Sequence, residues 1–208
     1  MSDLHCPATL LVARHGDAEY GHPSVLSDEG GWLSAEGRAQ VRGMADSLRE
    51  RNIARVYTSR LERAIESGQL VAEVLGVDVV AVGGLAEFSV GALAGRRHDD
   101  PELASVFKAW MHGDQGRFIP GGESGATVLR RYREALQGIA DQHRGETVVV
   151  VSHGGVMSFV LPRLEEPAVR ADLVARAFLP NCAVAEVEAD GDGFRVLTWP
   201  GSRERGVV

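Results

Sequence analysis

Two apolar stretches of the chain end on the same punctuation, a histidine followed by glycine. Leu10–Ala13 runs into Arg14-His15-Gly16, and Val148–Val151 runs into Ser152-His153-Gly154-Gly155. A third stretch, Ile53–Thr58, runs into Ser59-Arg60-Leu61-Glu62-Arg63. Arg60 and Arg63 fall at the start of a helix, where the partial positive charge of the helix end disfavours cations unless an anion binds. Guanidinium forks match phosphate oxygens two at a time and do not lose their charge. They also neutralise charge on a phosphoryl group in transfer, which is most of what such chemistry asks of a protein. Arg14, Arg63, His15 and His153, brought together, would hold such a group. Phosphate binding accounts for the arginines; the histidines require a reaction.

These residues meet only if the strands that carry them lie side by side, and the surrounding pattern predicts that arrangement. Thr9–Ala13 reads as a buried strand. Ser34 caps a helix over 35–51, with Val41, Met44, Ala45 and Leu48 on one face. Ile53–Thr58 is a second strand, a helix over 61–75 closes at Gly76, and Val77–Val82 is a third strand. Residues 83–123 carry one helical piece around Glu102–His112 and otherwise read as an irregular, lid-like segment facing substrate. Helical period returns with Val128, Tyr132, Leu136 and Ile139. The consecutive valines 148–151 mark a central strand, and a helix follows from Gly155. Ala183–Glu188 and Phe194–Trp199 flank Asp190-Gly-Asp-Gly193 as a hairpin, with a loose tail from Pro200. The alternation predicts one domain over 1–208, a three-layer α/β/α sandwich with a mostly parallel central sheet. Ligands of such sheets lie outside the carboxyl ends of the strands.

Composition narrows the possibilities further. A chain of 208 residues, 44% hydrophobic and 25% charged, has the makings of one folded, soluble domain. Its net charge of −7 argues against a general nucleic-acid or anionic-membrane surface. No apolar run approaches the roughly 18 residues that would span a bilayer. Met1–Pro7 lacks a basic leader, so a cytoplasmic protein is expected. Cys6 and Cys182 make neither a disulfide framework nor a zinc site. Lys108 is the only lysine, and Val-Phe-Lys-Ala-Trp gives it no Schiff-base or P-loop setting. The expected partner is a small phosphorylated molecule. Oligomeric state is left open, a homodimer being one option.

Leu11-Val-Ala-Arg-His-Gly16 resembles the RHG signature of the histidine phosphatase superfamily, which has the phosphoglycerate mutase-like fold. Leu33–Gln40, Thr58–Ala64, Leu85–Gly95, Pro120–Ser124 and Ser152–Gly155 resemble further blocks of that family in the same order. The resemblance implies that His15 is the nucleophile. Near pH 7 a neutral imidazole has a lone pair for phosphorus, and the resulting phosphohistidine is cleaved by water. Arg14 and Arg63 match the family's phosphate-binding arginines, and His153 its second histidine. The backbone N–H of Gly154, at a helix start, would add a donor. Arg63 matches better than Arg60, which would line the entrance. Glu87 is the implied proton donor and later the base for water, with Asp17 its rival. Burial would raise the pKa of Glu87 and the cations would lower it. Glu123 and Arg131 match positions of supporting role, and Asn181 is expected to cap. No cofactor or metal is implied. The competing readings are a metallophosphatase built on His15, Asp17, Asp28 and His153, and a non-catalytic phosphate-binding relative.

Two departures shape the expected reaction. The family's asparagine six residues after the nucleophile is Gly21 here, and the adjacent His22 could replace it as a donor. The arginine- and proline-rich insertion of the mutases is missing, and Asp99 and Asp100 follow directly on Arg96-Arg97-His98. Retaining a phosphorylated intermediate needs persistent anion binding and exclusion of water. The balance therefore favours a phosphatase over a mutase.

Overall fold

The computed structural model describes residues 6–22, 25–165 and 169–201. Residues 1–5 and 202–208, on which most of the expectations about the N-terminal stretch and the tail fall, lie outside that set.

Alternation along the strands decides the layers. In β1 (Ala8–Arg14), Leu10 and Val12 join one apolar cluster while Leu11 and Ala13 join the other. The valines of β6 (Thr147–Ser152) divide the same way, Val148 and Val150 against Val149 and Val151. Side chains of successive strand residues point to opposite faces, so an unbroken apolar run demands cover on both sides. One face is covered by α1 (Ala35–Ser47) and α2 (Glu62–Leu75), through Val41, Met44, Ala45 and Val71. The other is covered by α3 (Pro101–Met111), α4 (Gly125–Ala140) and α5 (Gly154–Val160), through Trp110, Val128, Tyr132 and Phe159. The result is a three-layer α/β/α sandwich.

The sheet has six strands in the order β5-β4-β6-β1-β7-β8. β4 (Ile53–Thr58) pairs in parallel with both β6 and β5 (Val79–Ala81), and β1 pairs in parallel with β6. The hairpin of β7 (Val184–Asp190) and β8 (Gly193–Thr198) adds the antiparallel edge against β1. A two-stranded ribbon, β2 (Ala18–Glu19) with β3 (Trp32–Leu33), and a short helix α6 (Ala171–Val174) have no counterpart in the sequence expectations. Both are too short for periodicity to register.

Element ends differ in ways that local chemistry explains. Ser34 caps α1 by accepting the Gly37 N–H at 2.9 Å. α1 stops at Ser47, and Arg49–Arg51 tighten into a 3₁₀ turn closed by Asn52 at φ 49°. Gly76, at φ 69°, ends α2. Val77 still donates to the Ala72 carbonyl as part of that helix end, so β5 begins only at Val79. Residues 83–123 contribute Leu85, Leu93, Val106, Trp110 and Ile119, all buried, to the core beside the carboxyl end of the sheet.

Candidate active site

β1, β4 and β6 are neighbours that run in the same direction, so their carboxyl ends share one edge of the sheet. The residues that follow them are His15, Ser59 and His153. The His15 and His153 rings lie 5.2 Å apart between centroids, tilted by 58°.

His15 is 4% exposed, and its Nδ1 lies 2.7 Å from the Gly16 carbonyl oxygen. A carbonyl only accepts, so Nδ1 carries the hydrogen and Nε2 the lone pair. Arg63 Nε–H donates to that lone pair at 3.2 Å. Burial, then the neighbouring charges of Arg63 and Arg14, bring the His15 pKa down to about 3. The ring is therefore neutral across the physiological range. The backbone behind it is braced as well, because Asn181 Nδ2 donates to the His15 carbonyl at 3.1 Å. Asn181 thus ties down the loop after β1 rather than capping a strand.

His153 is 1% exposed, and burial followed by the Arg63 charge holds its pKa well below the ordinary value. Its Nε2 lies 2.7 Å from Ser59 Oγ. Ser59 Oγ also accepts the Leu61 N–H at 3.2 Å. The other ring nitrogen, Nδ1, is a buried atom with no hydrogen-bond partner among the described residues. Buried polar atoms are nearly always satisfied, so this nitrogen beside an arginine pair points to a ligand atom. Ser59 escaped the sequence reading as a functional residue. The available signals were its place directly after the second strand and its membership of the Thr58–Ala64 block.

Glu87 lies on the loop between β5 and α3. Its Oε2 accepts the Gly155 N–H at 2.8 Å and its Oε1 the Phe88 N–H at 3.1 Å. Burial raises its pKa, against smaller lowering by these N–H groups and by Arg63. Of the two opposing effects foreseen for this carboxyl, desolvation prevails. Arg131 grips the loop from behind: its guanidinium donates to the carbonyls of Gly84, Ala86 and Glu87 and to both carboxylate oxygens of Glu123.

Glycines make room for these groups. A Cβ on Gly154 would come within 3.1 Å of Arg14 Nε, and one on Gly155 within 2.8 Å of Glu87 Oε2. The pair after His153 therefore lets both side chains lie against the start of α5.

Arg14, His15, Arg63, Glu87 and Gly154 line one cavity of about 710 Å³. Arg14 also donates to the Leu179 carbonyl at 2.6 Å, and Arg63 to the Gly30 carbonyl at 2.9 Å. Tyr20, absent from the sequence expectations, lines the cavity with its ring 5.6 Å from the Arg63 guanidinium. Asp17, His22, Arg60 and His153 are not among the lining residues, and His153 stands behind the lining with its ring against His15. Asp17 is turned to the start of α1, accepting the Ser34 hydroxyl at 2.6 Å. His22 and Arg60 are exposed. Asp28 accepts from Ser89 and Val90, and among the described residues no group of three or more metal-ligating side chains is arranged around an ion. No helix among the described residues is long and apolar enough to cross a membrane.

The chain and its fold have counterparts among known proteins. The family model of the histidine phosphatase superfamily, branch 1, matches residues 10–201, and the chain belongs to that superfamily. It is 31% identical over 202 residues to phosphoglycerate mutase-like protein 4 of Arabidopsis thaliana, covering 92% of this chain and 84% of the plant protein. The native structure of a mycobacterial glucosyl-3-phosphoglycerate phosphatase matches with a TM-score of 0.76 at 25% identity, over 93% of this chain and 99% of that one. Bacillus stearothermophilus YhfR matches with a TM-score of 0.74 at 25% identity, over 92% of this chain and 96% of that one.

Proposed function

We propose that the chain hydrolyses a phosphomonoester without a metal, through a phosphohistidine on His15. The observation that carries this reading is the fixed tautomer of His15: Nδ1–H is anchored on the Gly16 carbonyl and the Nε2 lone pair faces the arginines. The Nε2 lone pair forms the bond to phosphorus as the ester P–O bond breaks. Glu87, whose pKa burial raises, gives a proton to the leaving oxygen. Arg14, Arg63 and the Nδ1–H of His153 hold the non-bridging oxygens, with the Gly154 N–H at the start of α5 as a further donor. Glu87 then takes a proton from water, whose oxygen attacks phosphorus. The P–N bond breaks, inorganic phosphate leaves, and neutral His15 is restored.

In the resting site the Arg63 N–H occupies the lone pair that must attack. Phosphate oxygens are the better acceptors for guanidinium, so an incoming substrate draws Arg63 off the nucleophile as it binds. Among the named relatives, the mycobacterial structure is that of a phosphatase, which agrees with this reading.

The test is turnover of an aryl phosphate in the presence of EDTA, with rapid quenching to trap phosphate on the enzyme. Wild type should turn over and carry an acid-labile, base-stable phosphate. His15→Ala should lose about 10³-fold or more in kcat, on the scale of removing a covalent nucleophile. Undiminished turnover by that variant would refute the proposal.

A further inference from the structure

Resting on the phosphatase reading, we infer that the substrate is the phosphomonoester of an apolar alcohol or phenol that carries no second anionic group. A cavity of about 710 Å³ is much larger than a phosphoryl group and is of a size that holds a small organic molecule. Beyond the cationic floor, Val25, Leu26, Phe88, Val90 and Leu103 form the apolar part of its wall, interrupted by polar side chains such as Asp28 and His98. Phe88 is fixed there by its neighbours, edge-on to Trp110 at 5.5 Å and tilted against Phe107 at 5.6 Å. It presents a rigid aromatic surface to whatever leaves with the ester oxygen.

Charge on that wall points the same way. Arg131 lines the cavity, but its guanidinium has five N–H donors and makes five hydrogen bonds within the protein. Nothing is left for a substrate carboxylate. Arg96 and Arg97 are held by Glu102 and Asp99 and do not line the cavity. Arg14 and Arg63 serve the phosphoryl group. Asp28 does line the cavity, and the donors on its carboxylate, the Ser89 hydroxyl and the Val90 N–H, are neutral. A carboxylate or second phosphate here would give up water and confront Asp28, and beyond the phosphate site and the fully engaged Arg131 the one basic side chain on the lining is His98. An apolar ring or chain gains by covering the wall.

The experiment compares 4-ethylphenyl phosphate with 4-(carboxymethyl)phenyl phosphate. These leave as phenols of similar basicity and differ in one carboxylate. Assays at pH 8 keep histidine charge out of the comparison. Wild type should favour the ethyl compound by about 10-fold or more in kcat/KM, mainly through KM, which corresponds to about 1.4 kcal/mol. Asp28→Asn keeps an oxygen for the Val90 N–H and turns an amide N–H towards the Ser89 hydroxyl oxygen while removing the charge, and should narrow the gap at least threefold. Leu103→Ala should raise KM for the ethyl compound alone. Calorimetric binding of the two matching arylphosphonates gives the same comparison without turnover. Equal or inverted preference in both kinetics and binding overturns the inference and leaves the phosphatase reading intact. Absence of turnover together with a binding preference for the ethyl phosphonate overturns the phosphatase reading and upholds the recognition inferred here.

Discussion

His15 and Glu87 are displaced from their solution pKa values in opposite directions, and desolvation is the main cause of both shifts. A histidine at about 3 keeps its lone pair in acid as well as at neutrality. A carboxyl raised above its ordinary 4.5 keeps its proton where a solvated one would have lost it. The reactive combination, neutral imidazole with protonated carboxyl, thus exists between the two. kcat/KM should hold at mildly acidic pH and fall as pH rises through the raised Glu87 value. Glu87→Gln should abolish that falling limb and slow esters with poor leaving groups by about 10²-fold or more. Asp17→Asn should leave the limb in place, because Asp17 is bonded to Ser34 instead of facing the cavity. A limb that survives in Glu87→Gln and vanishes in Asp17→Asn would reverse the assignment of the acid.

Among the elements, the loop between β5 and α3 depends most on a single support. Arg131 in α4 satisfies the carbonyl acceptors of Gly84, Ala86 and Glu87, and its partner Glu123 accepts the Ser89 N–H at 3.1 Å. Lysine has three donors on a flexible stem and cannot reproduce that fork. Arg131→Lys should cost about 1–3 kcal/mol through unpaired buried acceptors. It should also move the Glu87 limb to lower pH as water reaches the loosened carboxyl, a shift that loss of stability alone would not produce. A second test concerns close approach at α5. On Gly155 a Cβ would lie 2.7 Å from Phe88 Cε1 and 2.9 Å from Glu87 Oε1. Gly155→Ala should therefore depress kcat by displacing Glu87 while changing Tm by only a few degrees. Full activity in this variant would mean that Glu87 need not rest on the start of α5.

For the whole molecule, burying two neutral histidines sets a pH dependence of stability. The unfolded chain protonates His15 near 6.5, whereas the folded one resists until about 3. Between those values the unfolded state binds more protons, so folding stability rises with pH. His15 alone contributes a slope of about 1.4 kcal/mol per pH unit. His153, shifted the same way, adds to it. Glu87 opposes them above 4.5, because there the folded state retains a proton that the unfolded state has released. The net expectation is marked loss of stability on acidification from pH 6.5 to 4.5, read as a falling urea midpoint. The loss should be smaller in His15→Asn. A tetrahedral oxyanion such as phosphate or vanadate should raise Tm by filling the cationic floor.

Much of this protein was written in local order. Alternation of apolar runs with helical periods dictated a parallel sheet covered on both sides, since strands such as Val148–Val151 have no polar face to give to water. The ends of those strands named His15, His153 and Arg63 without any knowledge of contacts, because strand direction alone brings carboxyl ends to one edge. What only the tertiary structure decided were the matters that depend on distance and solvent. Ser59 orients His153 across 94 residues of sequence, and Asn181 braces His15 across 166. Desolvation outweighs the cations at Glu87, Asp17 turns away to Ser34, and Arg131 is fully engaged within the fold. A sequence records which groups are available. Their protonation and their free valences follow from what the fold packs around them.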